Sequence, residues 1–372
     1  MVVLIMTLKF KPLDKWNCEC GKEHKISIAK VLIKKDAIEE IPKIIKEFLN
    51  GKKCLLVEDE NTKKIAGDRI EKLLKENNYI VDYVLINKSS IENIKNVANL
   101  LKNYDFSIAI GGGTPIDVAK MATYMNNMEF ISFPTAPSHD GIASPIVSLI
   151  EENKKKSLVT HTPIAIVVDE KIISNAPKRM IASGVGDILS KIVSLKDWEL
   201  GKNEKNEYYC KKAAELVFSA IEDTIEFIEN NGKNIKLFIE ALINSGVSML
   251  IAGSSRPCSG SEHLFSHYLD LNSPKPAMHG EQCGLGAIAM AKYHEENNLD
   301  WWKEKKYNWQ NIKKLLNSIG APISIKQINI EEEIAINALI YAPDLRPDRY
   351  TILHKKKLNY DNAKKLLYQT IM

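Results

Sequence analysis

From Phe106 to Tyr124 the sequence reads FSIAIGGGTPIDVAKMATY, and no other stretch restricts the fold as much. An apolar run, Ile108 to Ile110, breaks at Gly111, Gly112 and Gly113 and resumes as a helical pattern from Ile116 to Tyr124. A strand that passes through glycines into a helix brings backbone N–H groups close to a ligand. No Cβ stands in the way, and the positive end of the helix dipole faces an anion. Thr114 is placed to cap that helix and Pro115 suits its first turn. The same pattern also suits an ordinary strand-to-helix turn. It is not the G-x-G-x-x-G dinucleotide signature, so the glycines alone leave both readings open.

The surroundings of this stretch repeat one rhythm. Ile38, Ile41, Ile44, Ile45, Phe48 and Leu49 recur at helical spacing, and Gly51 stops that helix. Strands over 54–57, 81–85 and 106–110 alternate with helices over 62–75 and 91–101. Two further strands are expected over 130–133 and 164–168, the second after a basic turn at Lys154, Lys155 and Lys156. This βαβ spacing predicts a Rossmann-like, mostly parallel sheet covered on both faces, whose ligands lie beyond the carboxyl ends of the strands. The glycine turn and the acidic turn Glu58-Asp59-Glu60 both fall at such ends. Asp59 is placed to hold ribose hydroxyls, whereas Lys63 and Lys64 would suit a 2′-phosphate, which leaves NAD against NADP open. Beyond Asp169 helical periodicity dominates. The expected division is an α/β domain over 1–175 and an all-α domain over 176–372.

Composition removes several function classes. Lys+Arg of 51 against Asp+Glu of 47 leaves a net charge of +4, too balanced and too scattered for a nucleic-acid surface. No apolar segment reads as long enough to cross a bilayer, and the start, MVVLIMTLKF, is too short for a secretory signal. The six cysteines show no disulfide rhythm, as expected of a reducing cytoplasm. Residues 1–33 read as short β segments that contain Cys18-Glu-Cys20-Gly21 followed by His24. That spacing suits zinc, but no fourth ligand is near in sequence, so a hairpin turning at Gly21 is the expectation. The C-terminal helices allow a homo-oligomer without specifying one.

Metal-ligand side chains gather in three pieces of the helical half, around Asp187, around His263 and His267, and around His279. The chain has eight histidines, and these three fall within 17 residues. His263 and His267 are four apart and share a helix face. One Asp with two of these histidines makes a three-ligand site with an open position, the pattern of catalytic zinc. Each histidine taken singly suits a surface or a satisfied core position equally well.

The pieces GGGTPIDVAK, FPTAPSHDGIASP, GVGDILSK, SRPCSGSEHLFSHYLD, HGEQCGLG and RPDRYTIL together resemble the archaeal sn-glycerol-1-phosphate dehydrogenases. That family lies within the superfamily of iron- and zinc-dependent polyol dehydrogenases and dehydroquinate synthase. The resemblance spans nearly the whole chain and implies a dehydroquinate synthase-like fold. It also implies NAD(P)H-dependent reduction of dihydroxyacetone phosphate, the first step toward the ether-lipid backbone. It implies Asp187, His263 and His279 as ligands of one divalent ion, most simply Zn²⁺. It implies Gly111, Gly112, Gly113, Asp117, Thr135, Ser138 and Ser144 as dinucleotide contacts, and Asp140 and His267 as substrate contacts. The alkoxide needs a proton, and either Asp140 or His267, through water, is placed to relay it. Lys191 and Arg256 are the expected donors to the substrate phosphate. Three rivals stand beside this reading: a glycerol dehydrogenase, a dehydroquinate-synthase-like lyase, and a nucleotide-binding module without catalysis.

Overall fold

The computed structural model describes the backbone of residues 8–151 and 154–372, and their side chains except those of residues 150–156. Residues 1–7 of the expected N-terminal β segments, and the side chains of Lys154, Lys155 and Lys156, lie outside the described residues.

In chain order the first part comprises β1 (Lys15–Asn17), β2 (Glu23–Lys25), β3 (Lys30–Lys34), α1 (Ile41–Phe48), β4 (Lys53–Glu58), α2 (Glu60–Thr62), α3 (Asp68–Glu76), β5 (Ile80–Leu85), α4 (Ile91–Leu101), β6 (Phe106–Gly111), α5 (Gly113–Met125), β7 (Phe130–Pro134), β8 (Ile146–Glu151), β9 (Lys154–Val159) and β10 (Ala165–Asp169). The second part comprises α6 (Glu170–Ser174), α7 (Lys178–Lys205), α8 (Lys211–Glu229), α9 (Ile235–Ala252), α10 (Ser261–Asn272), α11 (His279–Asn297), α12 (Trp309–Ser318), α13 (Glu332–Tyr341), α14 (Ile352–Lys355) and α15 (Tyr360–Thr370).

Six strands form one parallel sheet in the order β3-β10-β7-β6-β4-β5. Successive side chains of a strand point to opposite faces, and the core divides accordingly. Cys54, Leu56, Ile108 and Ile110 pack with Ile41, Ile45, Ile70 and Leu74 of α1 and α3. Leu55, Val57 and Ala109 pack with Val97, Leu101, Ile116 and Ala119 of α4 and α5. The chain runs outward from β4 to β5, then returns to lay β6 on the other side of β4. That reversal opens a crevice at the carboxyl ends of β4 and β6, where ligands of such sheets bind.

Three local details depart from expectation. Helix α5 begins at Gly113 with Gly112 as its cap and no capping side chain, so Thr114 lies inside the first turn and does not cap it. The first-turn amides are thereby left facing the crevice. Gly111 takes φ +154°, and a Cβ there would meet Pro115 Cγ at 2.7 Å. The antiparallel hairpin β8–β9 was not foreseen, and Lys154–Lys156 belong to its second strand rather than to a turn. Finally, α9 is long and apolar enough to span a bilayer by length and composition, contrary to the expectation that no segment is. It is a core helix, with 83% of its window buried within the protein.

After Asp169 no strand occurs among the described residues. The N-terminal segment reaches the helical part. The Lys9 N–H donates to Asn244 Oδ1 of α9 at 3.1 Å, and the β1–β2 hairpin lies beside the start of α8.

Candidate active site

The site begins with two helices that only glycine lets approach. Where α7 passes α11, a Cβ on Gly280 would lie 1.7 Å from the Ser183 carbonyl oxygen, and one on Gly186 2.2 Å from that of Gly280. This contact sets Asp187 of α7 opposite His279, the first residue of α11. Helix α10 closes on α11 at Gly286 and brings in His263. Asp187 Oδ1 is then 3.7 Å from His263 Nε2 and 4.0 Å from His279 Nε2. Tetrahedral ligands with bonds of about 2.0–2.1 Å stand about 3.4 Å apart, so Asp187 Oδ1 lies within about 0.6 Å of that spacing from each of the two imidazole nitrogens. The donor set, one carboxylate and two imidazoles, fits such an ion.

Cys283 adds a fourth candidate. Its Sγ lies 3.6 Å from His279 Nε2, and donors of His263, His279 and Cys283 all lie within 4.8 Å of one another. Sequence spacing contained this signal, since Cys283 is four residues after His279 on the same helix.

The supporting atoms are ordered around Asp187. The Asp140 N–H donates to Asp187 Oδ2 at 3.0 Å, and Lys191 Nζ donates to Asp187 Oδ1 at 2.8 Å. Lys191 also meets Asp140 Oδ2 at 3.1 Å, and Ser245 Oγ donates to that same oxygen at 2.7 Å. Burial alone would raise the Asp187 carboxyl, but Lys191, His263 and His279 hold it well below the usual range. Burial would likewise neutralise Lys191, yet Asp140 and Asp187 keep it charged. Glu262 Oε1 lies 2.6 Å from His263 Nδ1 and accepts from the Gly260 N–H at 2.9 Å. A carboxylate on Nδ1 fixes the ring so that Nε2 faces the ligand position. Burial disfavours the His263 imidazolium, but Cys283, Asp187 and Glu262 together push its pKa well above the ordinary histidine value.

Asp140, His263 and His279 border a cavity of about 530 Å³, within the size range of small-ligand pockets. Of the residues expected at the site, Gly113, Asp117, Ser138, Asp140, Ser144, His263, His267 and His279 line it. Asp187 lies directly behind the two histidines, 1% exposed. Gly111 and Gly112 form the turn that opens on the cavity, and the Thr135 N–H donates to the Gly111 carbonyl at 3.1 Å. Asp59 does not line the cavity, and its Oδ1 caps α2 through the N–H groups of Asn61 and Thr62. Lys63 is engaged by Asp68, Glu71 and Glu58, with Asp68 Oδ1 at 2.8 Å.

Two expectations are corrected. Lys191 is fully buried, its Nζ donating to the carbonyl and carboxylate of Asp187 and pairing with Asp140, so it has no direction left for a substrate phosphate. Arg256 also does not line the cavity. Its guanidinium pairs with Glu207 at 2.7 Å and donates to the Asp197 carbonyl at 3.1 Å and to the Tyr350 carbonyl.

Over 90% of its length the chain is 40% identical to the glycerol-1-phosphate dehydrogenase [NAD(P)+] of Thermococcus sibiricus, covering 94% of that protein. The chain belongs to the glycerol-1-phosphate dehydrogenase family. The enzyme of that name from Nitrosopumilus maritimus is 37% identical over 95% of the chain and 98% of its own length. Residues 32–177 match the family described as iron-containing alcohol dehydrogenase. Among solved structures, a probable glycerol dehydrogenase from Sinorhizobium meliloti superposes with a TM-score of 0.73 at 16% identity, over 92% of this chain and 96% of its own. A 1,3-propanediol oxidoreductase gives 0.72 at 16%, over 92% of this chain and 98% of its own. At those identities the likeness shows the fold alone.

Several site residues of this family member escaped the sequence reading. His139 lies at the glycine turn, where a Cβ on Gly113 would fall 2.0 Å from its Nε2, and its Nδ1 accepts from the Gly141 N–H at 2.9 Å. Lys120, fully buried, donates to the carbonyls of Gly141 and Ile146 at 2.9 and 3.0 Å and so ties α5 to the loop that carries Asp140. Its spacing of three from Asp117, the partner of its salt bridge, was the available signal. Ser255 and Ser259 also line the cavity.

Proposed function

We propose that this protein reduces dihydroxyacetone phosphate to sn-glycerol 1-phosphate, using NAD(P)H and one divalent ion, Zn²⁺, held by Asp187, His263 and His279. The observation that carries the reading is the convergence of those three donors on the cavity that the uncapped amino end of α5 also faces. The name of the relatives at 37–41% identity, glycerol-1-phosphate dehydrogenase [NAD(P)+], supports the substrate, and the motifs shared with the archaeal enzymes imply its place in ether-lipid backbone synthesis. The glycerol-dehydrogenase alternative has only a shared fold behind it.

The chain's own residues divide the work. Amides at the amino end of α5, with Gly111, Gly112 and Gly113 leaving room, bind the dinucleotide phosphates, and Ser138 and Ser144 orient the remainder. When bound, the ion supplies a Lewis acid beside the ketone, and the reduced nicotinamide supplies the hydride. Lys191 and Asp140 hold Asp187 in place and exclude water from behind it. A ring nitrogen of His267 hands a proton to the oxygen that gains negative charge, directly or through one water. Asp140 is pinned by Ser245 and Lys191 and positions rather than transfers.

Among the described residues that line the cavity there is no Lys or Arg. The substrate phosphate is assigned to Ser255 and Ser259, behind which stands Arg349. That guanidinium donates to Ser255 Oγ at 2.8 Å and to the Ser259 carbonyl at 2.5 Å. Burial, with Arg346 and Arg256 nearby, pushes Arg349 down to about 9. A phosphate dianion would relieve that strain.

The six cysteines, none in a disulfide, support a reducing compartment such as the cytoplasm. The test is to offer dihydroxyacetone phosphate, dihydroxyacetone and glycerol separately and follow nicotinamide absorbance. Turnover confined to the phosphorylated ketone, with the sn-1 product, is expected. Preference for the unphosphorylated pair overturns the assignment.

A further inference from the structure

The N-terminal motif set aside as a plain hairpin gains a fourth ligand from the middle of the chain. β1 and β2 do pair as a hairpin, and Gly21 takes φ +83° at its turn. The Cys18 N–H donates to the Lys22 carbonyl at 2.9 Å, and the Gly21 N–H to the Cys18 carbonyl at 3.0 Å. This tight turn aims Cys18, Cys20 and His24 at one point. Cys210, which precedes α8, meets them there.

The four donor atoms lie within 4.8 Å of one another. Cys18 Sγ is 3.9 Å from Cys210 Sγ, Cys210 Sγ is 3.6 Å from His24 Nε2, and Cys20 Sγ is 3.1 Å from the same nitrogen. Tetrahedral zinc with bonds of about 2.3 Å to sulfur and 2.0 Å to nitrogen spaces its ligands about 3.8 Å (S to S) and 3.5 Å (S to N) apart. The side chains are therefore arranged as ligands already.

We propose that Cys18, Cys20, His24 and Cys210 form a second, structural zinc site that fastens the N-terminal hairpin to the helical half of the molecule. Three thiolates and one imidazole fill a tetrahedral shell and leave no open position, which is the closed pattern of structural rather than catalytic zinc. The surroundings suit that role. His24 and Cys210 are buried, and the Trp16 ring packs against His24 with centroids 5.3 Å apart. Tyr208 Oη lies 3.2 Å from Cys20 Sγ, where its hydroxyl donates to a thiolate. The segment leading to Cys210 is itself fixed, since Trp198 Nε1 donates to the Tyr208 carbonyl at 2.8 Å. A hairpin of two three-residue strands has little stability alone, so an ion that joins it to Cys210 contributes folding free energy directly. Lys9 follows the same path to Asn244, and the clasp holds residues 8–25 across the junction of the two halves.

The experiment is metal counting by mass spectrometry on full-length protein purified under reducing conditions. Wild type is expected to carry two zinc ions per chain. Asp187→Asn is expected to carry one, and Cys20→Ser also one, with turnover retained in the latter. One ion in wild type, none in Asp187→Asn and one in Cys20→Ser overturns the proposal. Should Cys20→Ser not fold, the Asp187→Asn/Cys283→Ser protein refilled with Co²⁺ decides the matter. An intense thiolate-to-cobalt absorption band supports the site, and a weak spectrum of oxygen and nitrogen ligation alone contradicts it.

Discussion

The backbone N–H of Asp140 donates to Oδ2 of Asp187 at 3.0 Å, joining the loop after β7 to the middle of α7. Oδ2 is held in this way, and Oδ1, which accepts from Lys191 Nζ at 2.8 Å, is the oxygen that faces His263 and His279. One hydrogen bond thus connects the loop beside the glycine turn to the cluster of Asp187, His263 and His279. The orientation of Asp187 depends on the sheet domain as much as on its own helix.

Lys191 separates the two carboxylates that this bond brings together. Replacing it by Met leaves Asp140 and Asp187 buried with no cation between them, a loss of about 3–5 kcal/mol in stability. We expect Lys191→Met to unfold at markedly lower denaturant and to lose at least about 10²-fold in kcat. A mere phosphate contact would instead raise KM for the phosphorylated ketone and leave the denaturation midpoint unchanged, so the two measurements together separate the roles.

Glu262 holds the His263 ring at Nδ1 with the same oxygen that accepts from the Gly260 N–H. Glu262→Gln keeps the shape but weakens the acceptor at Nδ1, and metal affinity should fall about 10–100-fold. Competition with a chelator of known affinity measures this. An unchanged dissociation constant removes Glu262 from the orienting role.

Arg349 should govern KM. Arg349→Met is expected to raise KM for dihydroxyacetone phosphate about tenfold or more while leaving nicotinamide binding unaltered, since charge-assisted hydrogen bonds carry about 1.5–3 kcal/mol. Steady-state kinetics varying each substrate in turn checks it.

Glu58 offers a pH test of stability. It is fully buried, and neither carboxylate oxygen has a hydrogen-bond partner. Burial, against the opposing pull of Lys63, raises its pKa to about 7. Unfolded, the same carboxyl titrates near 4.3. Between those values the folded state binds the extra proton, so stability falls as pH rises through the window and levels off above it. Glu58→Gln should leave thermal stability nearly unchanged at pH 4.5 and raise it at pH 8, by on the order of 2–3 kcal/mol. Equal shifts at both pH values contradict the assignment.

Local signals carried the sheet. Short apolar runs such as Phe106–Gly111, buried on both faces, and the amphipathic helix Ile91–Leu101, which buries one face, can be read from their own residues. The β8–β9 hairpin was not readable, because lysines fill half of its second strand and mimic a loop. Lys191 was misread although its spacing of four from Asp187 placed both on one helix face. A buried ammonium between two carboxylates becomes visible only when Asp140 arrives from another element. Cys210 lies 186 positions from His24, and no local pattern predicts a contact of that range.

The proposed reaction depends on an ion at Asp187, His263 and His279 acting on a ketone beside a reduced nicotinamide. The most direct measurement is the rate of NAD(P)H oxidation by dihydroxyacetone phosphate before chelator dialysis, after it, and after Zn²⁺ is restored. Loss of turnover on dialysis and its return with one equivalent of Zn²⁺ at this site is the predicted result. Full turnover by protein from which metal analysis shows this ion to be gone would contradict it.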